Sequence, residues 1–176
     1  MSPLTPWLNF YVILGSAAGG LTGLQFIAMA LLADIAPKPG DSQSAEAFAT
    51  PPIIHFVAVL LLAASGVMPW HGLTILAAIW TIAGLLGVAY TARVGWGVRH
   101  QSTYRAVLED WLFRVILPGC GYLGIAICAA LLFTHPTGPL FGIAASSLLL
   151  LVIAIHNAWD NATYLIFMKR QQTHRR

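Results

Sequence analysis

The sequence predicts an all-α integral membrane protein: a bundle of five transmembrane helices, N-terminus outside and C-terminus in the cytoplasm. Three observations carry that reading. Of the 176 residues, 58% are hydrophobic and 9% charged, whereas a soluble domain carries about a quarter charged residues. Five apolar runs, about 7–33, 51–69, 71–92, 112–134 and 138–160, each come close to the roughly 20 residues that a helix needs to cross a bilayer. Finally, threading those runs back and forth puts all nine Lys and Arg residues on or at the margin of one side. The positive-inside rule makes that side cytoplasmic. In so apolar a chain the net charge of +3 sets topology and does not argue for nucleic acid, so the bilayer is the expected partner.

The first run, 7–33, is too long for the apolar part of a signal peptide and is expected to stay as a span. It carries Gly15, Gly19 and Gly23, a GxxxG-type groove that lets another helix approach to backbone contact. Such a groove serves packing inside the bundle, or a homo-oligomer interface or pore-lining helix. Gln25 is turned away from it and needs a separate partner. The stretch 34–50 is polar and rich in turn formers, a cytoplasmic connection. Thr50 followed by Pro51 has the form of a helix start, a capping hydroxyl and then proline in the first turn, which places His55 one turn inside span two.

Spans two and three are separated by Met68-Pro69-Trp70-His71, and spans four and five by His135-Pro136-Thr137-Gly138. Both are tight turns with proline as the breaker. A helix over about 102–117 is expected to start at the cytoplasmic surface and run into span four, which Pro118, with Gly119 and Gly121, should kink. Tryptophans 7, 70, 96, 111 and 159 fall near interfaces as an aromatic belt would, while Trp80 belongs to the core. The last helix is expected to continue to about residue 167. The basic tail 168–176 suits anionic headgroups. Cys120 and Cys128, about 12 Å apart on one helix, cannot bond to each other.

The candidate site follows from this threading. His156, Asp160 and Tyr164 recur every four residues at the end of span five and so share one helical face with Thr163 beside them, and Asn157 is expected to belong to the same pocket. Glu109 and Asp110 stand at the start of span four and His55 at the start of span two, so all are expected near one depth at the cytoplasmic rim. Ionisable groups at the edge of a hydrocarbon layer are costly to place and mark a functional pocket. Each also has a plain structural reading. Arg105 with Glu109 and Asp110 with Arg114 are i,i+4 pairs, and His156 and Asp160 can pair with each other.

Three functions fit such a pocket. One is a channel or transporter for a proton or small ion, although the middle of the spans offers little polarity. The second is a membrane-embedded enzyme acting on a lipid or quinone, with a divalent metal held by His55, His156, Asp160 and Glu109. The third is a non-catalytic accessory subunit. The sequence has no phosphate loop, CxxC, HExxH or serine elbow. Asn161-Ala162-Thr163 is a glycosylation sequon only by accident, being helical and cytoplasmic. A short chain of this kind suits a bacterial inner membrane.

Overall fold

A computed structural model describes residues 3–33, 41–100 and 108–173, with side chains over 3–30, 52–99, 108–109 and 111–163. After a 3-10 turn at Thr5–Trp7 the elements are α1 (Leu8–Ala33), α2 (Asp41–Gly66), α3 (Leu73–His100), the short α4 (Leu108–Trp111), a π turn (Leu112–Ile116), α5 (Leu117–Leu131) and α6 (Gly138–Thr173). Four helices among the described residues are long and apolar enough to cross a membrane: Thr5–Ala30, Leu73–Arg99, Leu112–Leu131 and Gly138–Thr163. A shorter apolar stretch, Pro52–Gly66, lies within α2. The described chain is thus an all-helical membrane protein.

The helices form a continuous series, α1 against α2, α2 against α6, α6 against α5 and α5 against α3. α6, last in sequence, is therefore central in space: 44% of its most apolar 18-residue stretch is buried against 17% for that of α1. Close approaches set the register of each pair. α3 meets α5 where Gly87 lies against the Tyr122 ring and where a Cβ at Gly84 would stand 2.6 Å from the Ala126 main-chain nitrogen. α5 meets α6 where Gly121 faces Leu150, Gly124 faces Ser146, and Cys128 faces Gly142. α1 meets α2 where Gly15 faces Ala63, Gly19 faces Leu60 and Tyr11 covers Gly66. In each of these three pairs, positions climb along one helix as they fall along the other, so the neighbours are antiparallel.

The core is built from Tyr11, Phe56, Leu76, Trp80, Leu140, Ile143, Leu150 and Ile153 among others. Trp80 is fully buried, as its place within span three requires, and its indole N–H donates to Ser65 Oγ at 2.8 Å. The turn after α2 is closed by Trp70, whose indole N–H donates to the Ser65 carbonyl at 2.7 Å. Cys120 and Cys128 are free thiols.

Three expectations change. α2 does not begin at Thr50-Pro51; the helix runs from Asp41 straight through both prolines. A proline inside a helix removes the one hydrogen bond that its N–H would make and keeps a helical φ, and the alanine-rich stretch ahead of it favours helix. His55 consequently stands about 21 Å along α2 from Asp41 and not one turn from its start. Second, α6 continues to Thr173, so most of the segment expected as a tail is helix. Third, the missing N–H of Pro118 is met by a π turn immediately before it. Residues 102–107 of the helix expected there lie outside the described residues.

Candidate functional site

Among the described residues, the expected site residues fall into two polar groups in place of one layer. The first is at the end of the bundle where α4 meets α6. His156 is on the third-last described turn of the α6 span, and its Nε2 lies 3.2 Å from Asp160 Oδ2, one turn on, and 3.8 Å from Glu109 Oε1 of α4. One ligating atom from each of Glu109, His156 and Asp160 falls within 4.8 Å of the others. Side-chain exposure is 29% for His156, 48% for Asp160 and 69% for Glu109, so the group opens outward from a half-buried imidazole.

The Nε2 atom is the informative one. It is cut off from solvent and, despite the two nearby carboxylates, makes no hydrogen bond. A histidinium–carboxylate pair at i,i+4 would account for His156 and Asp160 alone; it leaves out Glu109, brought to the same nitrogen from a different helix. The Phe113 ring stacks on the imidazole with centroids 3.7 Å apart and planes 28° from parallel, which fixes the plane of the ring and keeps its Nε2 edge toward the carboxylates.

Asn157, next in sequence, is 7% exposed. Its Nδ2 donates to the Phe113 carbonyl at 3.1 Å. Phe113 thus meets α6 twice, by its ring at His156 and by its carbonyl at Asn157. Thr163 Oγ1 donates to the Asp160 carbonyl at 2.9 Å, a bond within the helix. The side chains of Asp110 and Tyr164 lie outside the described residues.

The second group is deep in the bundle. His55 is 1% exposed, and its Nδ1 lies 2.8 Å from the Tyr122 hydroxyl. The Tyr90 ring stands edge-on to the imidazole, with centroids 6.2 Å apart. Tyr122 is 13 residues beyond Glu109, about 20 Å along the α4–α5 axis. His55 is therefore removed from the rim and from the metal-ligand set in which the sequence placed it. α2 starts at Asp41, so His55 is about four turns along that helix and not one turn from its start.

The glycines of the first helix are placed unequally. A Cβ at Gly15 would stand 3.2 Å from Ala63 and one at Gly19 3.8 Å from Leu60, whereas at Gly23 nothing comes within 4 Å. The glycines in tightest contact, Gly84, Gly87, Gly124 and Gly142, were not singled out from the sequence. Their signal was present, since Gly84-x-x-Gly87 and Gly121-x-x-Gly124 repeat small residues on one helical face within apolar spans. Tyr122 could likewise have been found as a phenol within an apolar span that needs a partner.

Compared with protein-family models, with curated proteins and with solved structures, the chain matches none.

Proposed function

We propose that this is a five-span membrane protein that holds a divalent transition-metal ion at its rim through Glu109, His156 and Asp160, and acts there as a metal-dependent enzyme on a lipid or quinone. The observation that carries this reading is the buried Nε2 of His156, without a hydrogen bond, facing two carboxylate oxygens from two helices. A cation between them would meet an imidazole nitrogen and two carboxylate oxygens. That mixed donor set suits Zn, Mn or Fe(II) better than a soft or an all-oxygen metal. Three protein ligands leave a coordination position open, as catalytic sites do. A metal ion there supplies Lewis acidity, and the exposed carboxylates face the layer where headgroups lie.

In this reading α2 is the fifth span. The C-terminal end of α6, with Arg93, Arg99 and Arg114 on the same side, faces the cytoplasm by the positive-inside rule. The basic residues near the C-terminus then meet anionic headgroups. The conducting alternative is supported by a different observation, the His55–Tyr122 pair with Tyr90 in the bundle interior, polar groups of the kind that relay protons.

Elemental analysis of the detergent-purified protein tests the metal site. About one divalent metal per protomer is expected, lost in both His156→Ala and Asp160→Ala, because removing one of three ligands leaves too few to hold the ion. A metal-free wild type sinks the metal site. Proton flux in liposomes, abolished by His55→Leu and retained in His156→Ala, would then favour the conducting alternative.

A further inference from the structure

We infer that Pro118 and Asn157 are positioning residues for the rim site: the π turn ahead of Pro118, pinned to α6 by Asn157, is what turns Glu109 onto His156 and Asp160. The functional meaning of this device rests on the metal reading above; its geometry does not.

The hydrogen bonds of the turn lead to it. In a regular α-helix the Leu117 N–H would bond the Phe113 carbonyl. Here it bonds the Leu112 carbonyl, five residues back. The donor that a π turn would next offer to the Phe113 carbonyl is at position 118, and proline has none. The Phe113 carbonyl is thereby left without a main-chain donor, next to a central helix and at the edge of the apolar layer, where an unpaired carbonyl is costly. Asn157 supplies the missing donor from α6, at 3.1 Å. Proline and asparagine are thus two halves of one arrangement, 39 positions apart.

The arrangement has a consequence for Glu109. An i→i+5 turn accommodates one more residue than an α turn, so the helix ahead of it is rotated by about one residue step, roughly 100°, relative to α5. Glu109 is three residues ahead of Leu112, on the rotated part. With the π turn in place, its carboxylate reaches the His156 nitrogen. A regular helix in the same place would carry it off to the side. Because Phe113 also stacks on His156, the same turn orients two members of the site.

The test uses the full-length chain with two variants. Pro118→Ala restores an N–H at 118, so that α geometry satisfies the Phe113 and Arg114 carbonyls together. Asn157→Leu removes the donor at similar volume. Mn(II) or Co(II) affinity is expected to fall by about 10- to 100-fold in both, as for other groups that orient ligands, while helix content and the metal-free melting temperature of Pro118→Ala stay at wild-type values. Wild-type affinity in Pro118→Ala would overturn the inference. A second measurement needs no metal: spin labels at Glu109→Cys and Asp160→Cys, with Cys120 and Cys128 replaced by serine and alanine. Pro118→Ala should lengthen that distance by roughly 5–8 Å, the sweep of a side chain rotated by one residue step about the helix axis. An unchanged distance sinks the positioning role, and a changed one beside a metal-free wild type sinks only the metal reading.

Discussion

His55 shows what a single residue can and cannot reveal. A histidine in an apolar run is conspicuous, and the sequence marks it at once. Its partner is 67 positions away on another helix, and nothing local identifies Tyr122 as the one. The pair yields a direct prediction. Tyr122→Phe keeps the ring against Gly87 and removes only the hydroxyl, leaving a buried imidazole nitrogen unpaired. Interhelical hydrogen bonds in membranes average about 0.6 and reach about 1.7 kcal/mol, so a loss of about 1 kcal/mol is expected in reversible unfolding. Tyr122→Ala, which also empties the space of the ring, should cost about 3–5 kcal/mol. If Tyr122→Phe unfolds like wild type, the bond contributes nothing. At the rim the balance of legibility is reversed. His156 and Asp160 are four apart on one helix, so their pairing is written in the spacing. Glu109 joined them on the sequence too, through its place at the start of span four.

At the scale of the helix, hydropathy located the apolar runs, yet the start of α2 and the closest helix–helix contacts escaped it. α2 begins ten residues before Pro51 because proline in a helix is costly without being prohibitive, and the residues ahead of it have helical propensity of their own. The glycines of α1 and α3 make the second case. GxxxG spacing points to Gly15, Gly19 and Gly23, but neighbours come much closer at Gly84, against backbone, and at Gly87, against a ring. Gly84→Ala would drive a methyl group into the Ala126 backbone and is expected to cost about 1–3 kcal/mol, the usual range for overpacking. Gly23→Ala meets open space and should be neutral or stabilising by up to about 1 kcal/mol through helix propensity. Thermal unfolding of the two variants checks the contrast. Should Gly23→Ala instead weaken a detergent-stable oligomer, the groove would belong to an interface between copies of α1.

For the whole molecule, the topology carries its own prediction. The turns holding His71 and His135 are both exposed at the end of the bundle opposite His156. With the native cysteines removed, His71→Cys and His135→Cys should react with an impermeant thiol reagent added outside intact cells, while a C-terminal tag is reached only after permeabilisation. The opposite pattern would invert the orientation and move the rim site outside. It would leave the packing order untouched, because antiparallel contact does not depend on which side is which.

The sequence by itself determined that this chain lives in a membrane, where its apolar helices run, and that a histidine and carboxylates gather at one end. Those properties follow from hydropathy, charge and helical spacing, all of which are local. The tertiary structure decided that α6 is the central helix, that His55 belongs to Tyr122 in the interior, and that the Phe113 carbonyl freed by Pro118 is held by Asn157. Each of these depends on which helices touch and at what register. That is settled by close approach at small residues and by the need to satisfy every polar group away from water, between positions that the sequence keeps far apart.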